Sequence, residues 1–262
     1  LYSINRCMIK LFRKIRPELV TNGKISNYLL YAMGEIILVV AGILIALAVN
    51  NWSQHQKERK AGEDLLVRIH RDLVQDTLNF QSIIVQNNLL REEIKAILSD
   101  LYDGVETIEE VQYMSAVYDK ALDQVFSPND NTYQSMISSG TLGLIHNEEV
   151  KEAVIDLYAE YELKRALLSS MNSWMIGIVS TMDTETDFIK FNQGVSDIYT
   201  TEEMFGKNDL IFLNDKNDPR FQLLVRAISA TAFNQSAGNA IYAALIERCR
   251  IVIEQIENDT YL

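Results

Sequence analysis

Hydrophobic and polar positions follow two regimes along this chain, and the change falls at Trp52. From Tyr28 to Trp52 (YLLYAMGEIILVVAGILIALAVNNW) apolar and small residues run without a polar stripe, and Glu35 is the single charged side chain. About 20 such residues at 1.5 Å rise cross a hydrocarbon core of about 30 Å. A soluble helix of that length carries a polar face. The pattern predicts a transmembrane helix over 28–52.

Beyond Trp52 the chain turns polar from Ser53 to Lys60, and then a heptad pattern begins. Leu66, Ile69, Leu73, Asp76, Phe80, Ile83, Asn87, Leu90, Ile94, Ile97 and Leu101 alternate steps of three and four without a slip. With no Pro or Gly from Glu63 to Asp103 and Gly104 as the stop, this predicts a long helix packed by coiled-coil geometry. Continuous with the span, it would make a stalk of roughly 100 Å. Asp76 and Asn87 interrupt the seam. Polar seam residues either specify register or face solvent in an irregular bundle, and both readings stand at this point.

Local signals organise the remainder. Thr107-Ile108-Glu109-Glu110 is a capping box, predicting a helix through about Val125. Ser127 to Asn131 reads as a loop, and Thr132 to Ser138 as a short helix ended by Ser139-Gly140. Asn147 caps a long element whose helical spacing runs from Val150 to Met182. Asp183 to Lys216 is the least regular region, open to loops or short strands. Asp218-Pro219 is a cap followed by proline at the first helical position, and the last long helix runs nearly to the end. Its small stretches, Ser229 to Ala232 and Ser236 to Gly238, admit a close neighbour. The expected fold class is all-α. It comprises an N-terminal amphipathic helix, a transmembrane helix continuing into the stalk, and an extracytoplasmic helical bundle. The domains are 1–27 cytoplasmic, 28–52 transmembrane and 53–262 periplasmic.

Charge supplies the orientation. The net charge is −12. Before the span Arg6, Lys10, Arg13, Lys14, Arg16 and Lys24 outweigh Glu18 to give +5, which leaves about −16 after Trp52 once Glu35 is set aside. Basic flanks stay in the cytoplasm, so the body after Trp52 is expected outside, in the periplasm of a bacterial inner membrane. Such an acidic body repels phosphates, which argues against nucleic acid as a partner. Met8, Leu11, Phe12, Ile15 and Leu19 share a helical face, with Lys10, Arg13, Lys14 and Arg16 largely elsewhere. That predicts an amphipathic helix on the inner leaflet, anchored by those four cations, with Trp52 as the anchor at the far interface. Ala46-Leu47-Ala48 matches a signal-peptidase site, but the long preceding region and extended apolar core favour a retained anchor. Leu1 is not a methionine, so the natural start is expected either upstream or at Met8. Only 3 Pro and 11 Gly point to few turns and long helices. Cys7 and Cys249 lie on opposite sides of the proposed span, so no disulfide between them is expected.

Candidate chemistry is sparse. Glu35, near the cytoplasmic end of the span, is expected either to reach the interface, to pair with Lys24 or an N-terminal arginine, or to meet a partner subunit. Gly34, Ala41 and Ala48 recur every seven residues, and Gly42 and Ala46 form a small-x-x-x-small pair; both suit close helix packing in the membrane. Asp183-x-Glu185-x-Asp187 has carboxylates at calcium-loop spacing but lacks the sixth-position glycine and the twelfth-position Glu, so a solvated acidic turn is expected. His55, His70 and His146 stand in no metal-ligand spacing. With no nucleophile elbow, Cys–His signature or phosphate-cradling loop, no enzymatic activity, cofactor or metal is expected.

The segment around the span resembles a family of single-span proteins from Bacteroidota, a domain of unknown function. Met8–Arg16 (MIKLFRKIR), Gly34-Glu35-Ile36, the run from Leu38 to Leu47, and Asn50-Asn51-Trp52 carry the likeness, with weaker likeness at Asn131-Thr132-Tyr133 and Ser138-Ser139-Gly140. The resemblance implies localisation and architecture and no reaction. The expected role is a structural or accessory subunit of an envelope membrane complex, whose partners are the lipid bilayer and other membrane-protein subunits or further copies of itself. A homo-oligomeric pore with Glu35 near its axis and a periplasmic ligand sensor are the alternatives.

Overall fold

A computed structural model describes residues 25–122, 126–192, 194–195, 198–199, 201, 204 and 211–260. The expected amphipathic helix, with Lys10, Arg13, Lys14 and Arg16, lies outside the described residues. Among the described residues, α-helices run over α1 (Ile25–Asp103), α2 (Ile108–Lys120), α3 (Asn131–Ser139), α4 (Glu148–Thr186) and α5 (Pro219–Thr260). Short 3₁₀ turns at Thr141–Leu144, Phe188–Phe191 and Phe212–Asn214 join them, and no strand occurs among the described residues. Two compact units divide within α1, Leu1–Lys60 and Ala61–Leu262.

In the first unit, α1 carries one stretch long and apolar enough to cross a membrane. Its most apolar 18-residue window has a mean hydropathy of 2.6 and no residue buried.

The second unit is built on three long helices. His70 Nε2 lies 2.9 Å from Glu257 Oε1, Asn87 Nδ2 donates to Asn239 Oδ1 at 2.8 Å, and Arg91 Nη1 donates to the Ala232 carbonyl at 2.7 Å. The α5 number falls as the α1 number rises, so α1 and α5 are antiparallel. Asn147 with Asp259, Tyr161 with Cys249 and Trp174 with Phe233 show α4 antiparallel to α5 as well. Every predicted seam residue of α1 from Leu66 to Leu101 is buried or half-buried. Asp76 and Asn87 are buried too, which overturns the solvent-facing reading of both.

Apolar packing forms two clusters rather than one. The first gathers Leu66, Ile69, Leu73 and Phe80 with Val154, Leu157, Tyr161, Leu245, Cys249 and Ile256. The second gathers Ile94, Ile97 and Leu101 with α2, the α4 residues Met175 and Met182, and Phe212, Phe221 and Leu224. A polar layer containing Asn87, Arg91, Thr231 and Gln235 lies between them along the helices.

The caps form as local chemistry dictates. Thr107 Oγ1 accepts the Glu110 N–H at 3.2 Å while Glu110 Oε2 accepts the Thr107 N–H at 3.2 Å, the reciprocal bonds of a capping box. Helix α2 ends at Lys120, five residues short of the expected Val125, and 123–125 lie outside the described residues. Asn147 Oδ1 accepts the N–H groups of Glu149 and Val150. Asp218 Oδ1 accepts the Arg220 N–H at 2.8 Å, and the Arg220 hydrogen bonds hold its carboxyl below the usual range. Gly104 ends α1 at φ 109°, a left-handed conformation open to glycine, and the next amide is held at both ends: Val105 N–H and C=O each bond the Asn214 side chain at 2.8 Å.

Helix α4 runs on to Thr186, four residues past the last periodic position, and this changes the reading of Asp183-x-Glu185-x-Asp187. Helical geometry turns Asp183 and Glu185 about 200° apart, so they cannot wrap one ion. Asp183 is half-buried while Glu185 and Asp187 are exposed, so the expectation of a fully solvated acidic turn is corrected at Asp183.

Candidate functional site

The residues singled out in the span lie on one uninterrupted helix. At about 100° per residue, Glu35, Gly42 and Ala46 fall within about 40° of one another, while Gly34, Ala41 and Ala48 form a second stripe about 120° away. All six are exposed within the chain, as is Trp52, and no neighbour approaches the position of a Cβ on Gly34 or Gly42. Helix α1 thus presents two faces on which a second helix could approach closely.

In the helical body, the best-organised polar group centres on a residue whose setting the heptad spacing leaves open. Asp76 projects from α1 between apolar residues three and four positions away, Leu73 and Phe80, and is fully buried. Its Oδ1 accepts the Asn129 N–H at 2.9 Å and Asn129 Nδ2 at 2.6 Å; its Oδ2 accepts the Tyr161 hydroxyl at 2.9 Å. That hydroxyl also lies 3.1 Å from Cys249 Sγ on α5. Tyr158 closes the loop by donating to the Asn129 carbonyl at 3.2 Å. Around them Phe80, Phe126, Tyr161 and Tyr242 pack ring against ring at 5.5–6.1 Å. Arg165 reaches Asp130 Oδ2 at 3.0 Å and lies over the Phe126 ring.

Burial dominates the electrostatics of this group. Burial raises the Asp76 carboxyl above its ordinary 3.8, outweighing the bonds from Asn129 and Tyr161. Burial also pushes the Cys249 thiol up to about 11, and the Tyr161 hydroxyl far above its usual range. A thiol held protonated is a poor nucleophile. The Asp76 side chain on α1 thus bonds the loop before α3 and Tyr161 of α4, and that tyrosine reaches α5.

The polar layer farther along is less complete. Asn87, Asn239 and Asn88 form a ladder at 2.8 and 2.9 Å. Gln235 is fully buried, yet neither end of its side-chain amide finds a hydrogen-bond partner among the described residues, and neither does Asn172 Oδ1. The antiparallel register that pairs Trp174 with Phe233 places Asn172 and Gln235 at one level.

Sequence reasoning missed the exposed apolar faces. Each long helix has a run free of charge: 77–90 in α1, 166–182 in α4 and 227–246 in α5. On α4, Leu163, Leu167 and Trp174 share one exposed face, and the Trp174 ring meets Phe233 edge-on at 5.8 Å with both rings more than half exposed. On α1, Val74, Leu78, Val85 and Leu89 line another. The signal was available as charge-free runs, but which of their residues face outward depends on how the helices pack. His70 meets Glu257, His146 Nδ1 meets the Leu144 carbonyl, and His55 lies near Glu58. Among the described residues no three of His, Cys, Asp and Glu converge as a metal site.

The sequence model of a family described as Family of unknown function (DUF6090) matches residues 35–215. The chain belongs to this family. The DUF6090 match begins at Glu35, takes in Asp76 and all of α2, α3 and α4, and stops before α5. No curated protein and no solved structure matches the chain.

Proposed function

We propose that this chain is a non-catalytic, single-span inner-membrane protein whose periplasmic helical bundle is a protein-binding module, serving as a structural or accessory subunit of an envelope membrane complex. The observation that carries the reading is the apolar face of α4 and α5, where Leu163, Leu167, Trp174 and Phe233 stand in solvent on a strongly acidic body. Exposed aromatic and aliphatic side chains grouped on a rigid, charge-depleted surface have the composition of an interface core. The basic segment before the span supports a cytoplasmic amino terminus, and the small-residue stripes of α1 support helix contacts within the bilayer.

The test is mild detergent extraction at native abundance, followed by mass measurement and identification of co-purifying chains. A mixed complex that is lost in Trp174→Glu/Phe233→Glu, with the melting temperature unchanged, supports the reading. A lone chain of 29.9 kDa, without partners in the membrane or after extraction, ends it.

One observation favours a second reading, self-assembly into a homo-oligomeric pore: Glu35 shares its helix face with Gly42 and Ala46. A closed ring of identical chains whose conductance changes in Glu35→Gln would select it, and unchanged current would remove it.

A further inference from the structure

Helix α1 carries two apolar faces in the helical body, where folding of the chain uses one. Leu73, Asp76, Phe80 and Asn87 are buried against α4 and α5. At about 100° per residue, Val74, Leu78, Val85 and Leu89 fall within about 60° of one another, and their centre lies about 180° round the helix from that inner seam. These four side chains are between 38% and 64% exposed. Val74 and Val85, like Leu78 and Leu89, stand eleven residues apart. That period keeps a stripe on one side of a nearly straight helix. No residue from Thr77 to Leu90 is charged. The polar residues alongside are turned onto their own helix: Gln75 donates to Asn79 at 2.9 Å and Gln86 to Ser82 at 3.0 Å. Past the end of the stripe, Lys95 Nζ stands 3.7 Å from Glu92 Oε2 and offsets that charge.

We propose that this outer stripe seats the same stripe of a second copy of the chain, as a parallel, in-register pair of α1 helices about a two-fold axis. Charge, height and area select a second copy as the occupant. The chain after Trp52 carries about −16, so two copies repel wherever their carboxylates meet, and like-charge contacts cost several kcal/mol. A charge-free stripe is the surface on which they can approach. A basic partner would dock on the carboxylates instead and gain nothing from their absence. The proposed membrane span, on which this step rests, holds every copy in one direction. Each residue of one α1 then stands level with its counterpart in the next, which is what an isologous contact requires. The four side chains bare on the order of 400 Å² of apolar surface, in the usual range of the largest patch on a monomer. A free-standing dimer buries about 800 Å² per partner. Anchoring in a common bilayer offsets the shortfall by raising the effective concentration. The pair therefore belongs to the membrane-held chain. The stripe is separate from the α4 and α5 face on which the proposed function rests.

The test places single cysteines by Leu78→Cys, Val85→Cys and Gln86→Cys in the full chain carrying Cys7→Ser, with the buried Cys249 left in place. Native membranes are oxidised with copper phenanthroline. Leu78→Cys and Val85→Cys are expected to give a disulfide-linked species of twice 29.9 kDa. Gln86→Cys, exposed about 90° round the helix from the stripe, is expected to give little. Leu78→Cys co-expressed with a differently tagged Leu89→Cys chain yields no mixed pair, because in-register helices hold those positions apart. Leu78→Glu/Val85→Glu weakens pairing of the full chain in nanodiscs about tenfold or more. Both positions face water, so the single chain melts like the parent. Trp174→Glu/Phe233→Glu leaves the pair intact, which separates this contact from the α4 and α5 face. Pairing strengthens as salt screens the repulsion between the acidic bodies. The proposal is overturned if all three cysteines cross-link alike, if a mixed pair forms, or if the double Glu variant pairs as the parent does. A cross-linked partner of different mass, or pairing that weakens with salt, overturns it equally by assigning the stripe to another protein. A chain absent from the membrane fraction would instead remove the anchor, and the proposed function with it.

Discussion

The Tyr161 hydroxyl donates to Asp76 Oδ2 at 2.9 Å and lies 3.1 Å from Cys249 Sγ, so one oxygen atom joins α1, α4 and α5. Asp76 in turn holds the Asn129 loop through both its amide and its side chain. The group is a buried polar lock inside an aromatic cage. Its energetics are asymmetric, because a broken buried network costs more than an intact one contributes.

Asp76→Asn is expected to be tolerated, and Asp76→Ala is not. The asparagine oxygen can accept from Asn129, and its NH₂ can donate to Tyr161, which then donates to Cys249. Alanine instead leaves the Asn129 backbone and side-chain donors unmet, at about 1–3 kcal/mol each. The sign of the pH effect follows from the raised Asp76 carboxyl. Its stabilising contribution is fully present below the ordinary value of 3.8 and is lost as pH rises through the higher folded value. Chemical denaturation from pH 3.5 upward should therefore show a shallower decline in Asp76→Asn than in the parent. An identical decline would sink the assignment.

Cys249 should react with thiol reagents only when the body opens. It is fully buried and its thiol is held at about 11, so at pH 8 modification should track global unfolding. Tyr161→Phe removes the donor to Asp76 and the contact to Sγ, and should speed modification as it lowers stability by about 1–3 kcal/mol. Fast labelling of the folded parent would contradict the packing.

Gly62→Ala is expected to destabilise by about 1–3 kcal/mol, the usual cost of overpacking. A Cβ there would stand 2.1 Å from the Leu144 carbonyl oxygen, where α1 passes the Thr141–Leu144 turn. Gly143→Ala, with nothing within 4 Å of its Cβ position, is the control and should melt like the parent. Equal melting of both variants would show that the close approach at Gly62 is wrong.

Gln235→Leu should stabilise the body by about 1–3 kcal/mol, because it replaces a buried amide that finds no partner with an apolar group of similar volume. Thermal melts of the full chain in detergent provide the measurement. A lower melting temperature would mean that the amide is satisfied after all.

Elements built from local chemistry are legible in the amino-acid order. The capping box at Thr107, the Asn147 cap, the Asp218-Pro219 start and the heptads of α1 each bring partners a few residues apart, or a period along one helix, and each folds as expected. Asp76 shows where that legibility stops. Its spacing places it on the seam, but only Asn129, Tyr161 and Cys249, 53 to 173 positions away, decide that it is enclosed and bonded. Gly62 has the sequence context of an ordinary helical glycine, and only the approach of Leu144 makes it special. Gln235 carries no local signal at all, since its burial comes from residues on other helices.

The sequence by itself determined an apolar span, an all-helical body and the sites where helices start, because backbone propensity, capping and hydrophobic period act within a few turns. Tertiary structure decided which polar groups are sealed in and which apolar faces stay in water. Burial and electrostatic field depend on neighbours distant in the chain, and no short-range pattern encodes them.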